Sequence, residues 1–406
     1  MQRGLLRLRA RRVVALVALV ASGSVFAAPA VPRVQAVPTN LSSDSDRIIS
    51  YRHQEHLWQS ADGALHIVIN RGTLTPGPGL ALFTSLDGGL SWQLQRSFPD
   101  TDGDSVSDGQ FAGNTLLLMN QTVGGNLVFR RLAWDAAARS WTLQQEETAW
   151  ASDQFAAVNA SVAVDAQGTV WCAFDARDRV TNDVNIRLLL RPAAAAGWQN
   201  SGQVFGPTDH RSIERSARPV PLPGGMGMVY SVRETVYWAE RTDTMAPDAP
   251  WPVSTLFVGA PTSRLADPYA SHFSVVPDDA GNTHLFLVDN YDVLYFKRDP
   301  LTTLWGGGAR VDDDKKTAYT QGAIVNGKLA AAWSVQRGAG SAVVSADQGA
   351  SFQPAASLLL PPDAPGVSYG QARVEMPTRA NGPLVILQQY SDNGLQRLMV
   401  FRVPAP

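Results

Sequence analysis

One cysteine, Cys172, stands in a chain of 406 residues. No intramolecular disulfide can form. Its place in the apolar run TVWCAF marks it as a small buried hydrophobe rather than a nucleophile. Charge is sparse, at 17% of residues, and helix-forming stretches are scarce. The six histidines show no pair at a spacing that implies zinc on one element, so no metal is expected. No glycine-rich phosphate or dinucleotide loop occurs, so no cofactor is expected. What the chain has instead is 34 glycines, 26 prolines and 11 tryptophans, a composition that suits short strands separated by turns.

The N-terminus reads as an export signal. Arg3, Arg7, Arg9, Arg11 and Arg12 form a basic head, residues 13–20 an apolar run, and Val25-Phe26-Ala27 a small-residue cleavage pattern. The run is too short for a membrane span, and no cysteine follows it for lipid attachment. Residues 1–27 are therefore expected to be a signal peptide and the protein periplasmic or secreted, without a membrane anchor. Residues 28–45, with Pro29, Pro32 and Pro38, read as a flexible lead-in to a single domain over 46–406. Removing the five leader arginines takes the formal net charge from −2 to −7, which argues against a nucleic-acid partner. Oligomeric state is not legible.

Six aromatics recur at 47 to 57 residues: Trp92, Trp141, Trp198, Trp251, Trp305 and Phe352. In step with them run seven turn-plus-strand segments, among them SADGALHIVIN, VDAQGTVWCAF and PDDAGNTHLFLVD. A period of this size marks a repeat architecture. Each unit reads as four antiparallel strands, the last opened by the aromatic, which describes a propeller blade. The fold expected is all-β: a seven-bladed β-propeller, with six blades the alternative. The seventh unit ends at Pro406 without its aromatic strand, so residues 46–51 are expected to complete the last blade and close the ring.

Two third-to-fourth-strand turns fit S-x-D-x-G-x-x-W/F, at 85–92 and 345–352. Asp87 and Asp347 are expected to bind their own turns rather than a substrate or calcium. The opposite face holds the longer, more varied loops, where ligands usually bind. It collects Arg71, Asp175 and Arg233 from loops, and His53, Glu214, Tyr269, His272, Tyr319, Tyr369 and Arg373 from the approaches to the first strands. Arginine binds carboxylate in a planar fork and aromatic faces pack on sugars, so an anionic or polyhydroxylated ligand is expected.

On its D-boxes, on Tyr51-Arg52-His53-Gln54 followed by ADGALHIVINRG, and on SIERSARPVPLPGGMGMVYSVR, the chain resembles the sialidase/BNR (Asp-box) propeller superfamily. That resemblance implies an extracellular glycan or polysaccharide as partner. It implies Arg52, Arg71 and Arg233 as carboxylate binders, Tyr319 as nucleophile and Glu214 as its base. The pattern departs in three places. His53-Gln54 replace Ile-Pro, no carboxylate follows Arg71 in GTLTPGPGLA, and no third arginine stands at the family's spacing, Arg373 being misplaced relative to Tyr319. Seven blades also resemble some polysaccharide lyases, for which Tyr269 with His272, or His53 with His56, beside an arginine would supply the chemistry. A non-catalytic interaction propeller is the third reading.

Overall fold

A computed structural model describes residues 31–49, 53–101, 107–209, 215–246, 248–259, 272–312, 317–335, 340–369 and 373–405. Among them there is no helix. The strands assort into seven sheets, built as a propeller of four-stranded antiparallel blades. The first five are meanders over residues 57–98, 108–150, 155–209, 216–258 and 273–310. The sixth, over 317–359, gains a parallel strand at each margin. Arg33–Gln35 pairs with its outer strand Gln353–Leu359, and Arg379–Ala380 with its inner strand Thr317–Val325. The seventh runs inward from Val37–Ser43 through Leu395–Val403 and Leu384–Asp392 to Val374–Glu375.

Sequence pattern explains the layering. Second strands such as Leu65–Asn70 and Gly225–Val232 are buried at every position, because sheets pack on both of their faces. Outer strands such as Val253–Val258 are mostly exposed. Seven apolar clusters fill the spaces between successive sheets, and one of them joins the seventh to the first through Leu387, Leu398, Val400, Leu57 and Ile67. Each repeat aromatic enters the cluster between its own sheet and the one before it. Trp92 lies between seventh and first, Trp141 between first and second, and Trp251 between third and fourth. A buried tryptophan removes roughly 150–250 Å² from water, several kcal/mol before entropy is counted. At the seventh junction Ala36 takes the corresponding place, immediately before the closing strand, among Ala323, Ala330, Ala332, Ala342 and Ala356. Small residues thus replace the missing aromatic.

Closure differs from the expectation in position. The closing strand is Val37–Ser43, not residues 46–51, which in their described part form bends and bury Ile48 and Ile49 between seventh and first sheets. Residues 33–43 are likewise strands rather than a flexible lead-in. The prolines misdirect here. Pro38, paired with Met399, sits on the outermost strand, where a missing N–H leaves no ladder bond unmade. Asn40 locks this strand to the first sheet: its Nδ2 donates to the Trp92 carbonyl at 2.8 Å and its Oδ1 accepts the Trp92 N–H at 3.0 Å.

The two D-box turns are self-contained. Asp87 Oδ1 accepts the Ser85 hydroxyl at 2.8 Å and the N–H groups of Leu90 and Ser91 at 3.1 and 3.0 Å, while Oδ2 accepts the Ser91 hydroxyl. Burial works against its charge, but these bonds outweigh it and hold the carboxyl at about 2. Gly89, at φ 91°, has Val400 3.1 Å from where a Cβ would stand, so the turn needs glycine for both reasons. Asp347 repeats the pattern with Ser345 and Ser351. Asp87→Ala is expected to lower unfolding stability by about 1–2 kcal/mol in urea titration, with no change in glycan binding.

Candidate functional site

The first strand of each sheet runs along the central channel, and a buried polar network crosses it. Arg218 of the fourth sheet donates from Nη1 to both carboxylate oxygens of Asp108 at 2.6 Å, and from Nη2 to Glu55 at 2.5 Å. Asp108 also accepts the N–H groups of Glu55 and Val162, each at 2.6 Å. Beside this cluster, Glu375 of the seventh sheet accepts the His56 N–H at 2.8 Å and Gln321 Nε2 at 3.1 Å, with His56 Nδ1 3.1 Å away. Gln54 reaches the Ala160 carbonyl of the third sheet at 2.6 Å. Six of the seven sheets are thereby tied across the axis. Burial pushes Glu55 and Asp108 up, and the Arg218 charge opposes it. Burial disfavours the Arg218 charge, but the two carboxylates overcome that and hold it above its usual range.

Above this floor, where the first strands begin, three predicted residues converge. The His272 and Tyr319 rings stack with centroids 4.9 Å apart and planes 8° from parallel. The Arg373 guanidinium carbon lies 5.8 Å from the Tyr319 ring centre. His272 Nδ1 is 2.6 Å from the Ala318 carbonyl. A carbonyl can only accept, so Nδ1 carries a proton there. Arg373 donates from Nη1 to the Ile49 carbonyl at 2.8 Å, and its Nε is buried without a partner among the described residues.

His53, 3% exposed, packs against Phe273, the residue after His272, with ring centroids 5.9 Å apart. Its Nε2 lies 3.3 Å from the carbonyl of Asn159. Asn159 has φ 56° and sits where the third sheet's first strand slips register between Val158 and Ser161. Such bulges re-aim backbone groups and cluster beside sites. Its Nδ2 donates to Asp175 at 3.0 Å. Burial, opposed by that bond and by the charges of Arg215 and Arg177, raises Asp175 to about 7. Its carboxyl therefore binds a proton in the folded state between about pH 4 and 7 that the unfolded chain lacks. Stability is expected to fall across this window as pH rises, by on the order of 4 kcal/mol from this group. Asp175→Asn should flatten that slope in urea titrations at pH 5 and 8.

The other predicted residues lie elsewhere. Arg71 is committed to its own loop, donating to Pro76 at 2.9 Å and lying 5.8 Å over Phe83. Arg233 is exposed, at φ 55°, in the turn between the second and third strands of the fourth sheet. Tyr369 is packed in the cluster between sixth and seventh sheets, its hydroxyl 3.4 Å from the Pro361 carbonyl. Arg52, Glu214 and Tyr269 fall outside the described residues. Sequence reading missed Asn159, Arg218, Asp108 and Glu375. Within second strands, His66 and His284 are structural: His66 bonds Thr84 and Ser60, and burial lowers it to about 4. Among the described residues no group of His, Cys, Asp and Glu could hold a metal.

With the channel and its His–Tyr–Arg group in place, the chain can be set beside known structures. A PL25 ulvan lyase aligns over 91% of this chain and 96% of its own, at 9% identity and a TM-score of 0.55. The two chains share the propeller fold. The same lyase bound to -[GlcA(1-4)Rha3S]- aligns at 0.54. A Penicillium chrysogenum α-L-arabinanase covers 92% of this chain and 99% of its own, at 12% identity and 0.48. A Trypanosoma rangeli sialidase covers 80% of this chain and 57% of its own, at 12% and 0.45. No family model and no curated protein matches the sequence.

Proposed function

We propose that this propeller, carried outside the cytoplasm by its leader, binds an anionic polysaccharide over the channel mouth and cleaves it by β-elimination. The observation that carries the reading is the stacked His272–Tyr319 pair with Arg373 beside it. A uronate carboxylate fits the planar fork of Arg373, which lowers the cost of charge developing at the adjacent carbon. His272 Nε2 takes the proton from C5. The C5–H electrons form the C4–C5 double bond, the C4–O4 bond breaks, and O4 takes a proton from the Tyr319 hydroxyl. The imidazolium then returns its proton to the phenolate. No water is consumed. Counting each of the seven sheets as one blade supports the lyase architecture over the six-bladed sialidase one. The Arg71 loop, with no acid and its arginine bound to Pro76, weakens the hydrolase reading further.

The test is incubation of the purified protein with glucuronate- and galacturonate-containing polysaccharides. Ultraviolet-absorbing unsaturated ends are expected. Saturable binding without product would leave a glycan-binding propeller. Release of sialic acid from a fluorogenic sialoside would favour the hydrolase instead.

A further inference from the structure

The network of Arg218, Asp108 and Glu55 has a second side. Beneath it, at the end of the channel away from His272 and Tyr319, lies an open cavity of ≈ 110 Å³. Its walls come from the far ends of the first strands. Gln59 and Pro277 are the last residues of theirs, and Pro221 the last but one.

The wall chemistry is mixed in a particular way. Trp58, Phe111, Val220, Val275 and three prolines give an apolar surface. Six polar side chains interrupt it: Glu55, Arg218, Gln59, Gln110, Thr378 and Arg379, the last held by Asp279 and the Pro277 carbonyl. The two amides can be oriented from their bonds. Gln59 Oε1 accepts the Asn381 N–H at 2.7 Å, and Gln110 Oε1 accepts the Val164 N–H at 2.5 Å. Each oxygen is thus committed, and the amide nitrogens, with no protein partner among the described residues, are what these side chains offer a ligand. At the floor the Arg218 Nη groups are taken by Asp108 and Glu55, which leaves carboxylate oxygen as the group presented there. The site therefore offers N–H donors on two walls, an acceptor on the floor and aromatic surface between. Hydroxyl groups satisfy both kinds of partner, and a ring with C–H faces suits the aromatics. An anionic sugar would meet the Glu55 carboxylate.

We infer that this cavity is a second ligand site, which takes a neutral sugar residue in the channel end opposite the His272–Tyr319 group. The inference is independent of the cleavage reading, since it uses none of those residues.

The test uses the whole protein and methyl glucoside, methyl galactoside and methyl xyloside as probes, followed by tryptophan fluorescence and ligand-observed NMR. Gln59→Glu and Gln110→Glu keep the oxygen that each backbone N–H needs and remove the amide donor. The wild type is expected to bind at least one probe saturably. The double variant should bind it about tenfold or more weakly, at unchanged melting temperature. Tyr319→Phe should bind it as the wild type does. Methyl glucuronide should bind less tightly than the neutral probes. The inference is overturned if no neutral probe binds saturably, if Tyr319→Phe abolishes binding while the double variant retains it, or if the glucuronide binds as well as the neutral sugars.

Discussion

Arg218→Met is expected to be the most destabilising single substitution in the channel, at about 3–5 kcal/mol near neutral pH. The guanidinium is 7% exposed, and it is the ion-pair partner of Asp108, fully buried, and Glu55. Removing it leaves two carboxylates in a low-dielectric interior, which is the costly way to break a buried ion pair. Urea titration should show a lowered midpoint, and the melting temperature should fall by roughly 10 °C. The sign of the pH dependence follows from the same groups. Burial already raises both carboxyls, and without the cation they rise further. The folded variant then binds protons that the unfolded chain releases above about pH 4. Its deficit should shrink as pH falls toward 4 and be fully present above the raised values. Replacing all three together, with Asp108→Asn and Glu55→Gln added, should recover most of the loss, because no unpaired charge remains. A variant as stable as the parent at pH 8 would mean the cluster is solvated.

Tyr319→Phe and His272→Ala should each reduce kcat/KM on a uronate polysaccharide by about 10²- to 10⁴-fold, the usual worth of a positioned acid or base. Tyr319 is half-buried at the channel mouth, so loss of its hydroxyl should leave the urea midpoint within about 0.5 kcal/mol. The two losses should not add in the double variant, because each interrupts the same proton transfer. Arg373→Lys should act chiefly on KM, since an ammonium keeps the charge but not the planar fork. Initial rates by ultraviolet absorbance, with circular dichroism as the fold control, check all four. Full activity in Tyr319→Phe would remove that hydroxyl from the reaction.

The frame was legible because its signals are local. A turn chemistry such as Ser85–Asp87–Gly89 is written within eight residues, and the aromatics that fill the spaces between sheets recur with the unit that carries them. The channel was not legible for the opposite reason. Arg218 meets partners 110 and 163 positions away, and nothing in SARPVPL separates a buried arginine from a solvated one. The Asn159 bulge has no sequence mark, since asparagine at positive φ occurs in ordinary turns as well. His272, Tyr319 and Arg373 could be placed together because their topological class was enough: each lies at or just before the start of an inner strand. Arg71 met a similar rule, at a loop position, but donates to its own loop at Pro76. Sequence place fixes the face on which a side chain emerges, but not whether its own loop has already engaged it. Residues 33–43 were lost to their prolines, which signal a linker except on a sheet margin.

The junction of the chain's two ends also sets an order of events. The Thr39 hydroxyl bonds the Leu398 carbonyl, 359 positions along. Val37–Ser43, made early, therefore waits for Leu395–Val403 at the far end of the chain. Closing so long a loop late costs little more than closing a shorter one, because the entropy grows only logarithmically. Until then the newly made blades form an arc with two uncovered margins. Completion of the ring is thus a terminal event in the life of the chain, and loss of either Val37–Ser43 or Leu395–Val403 would undo the same seam.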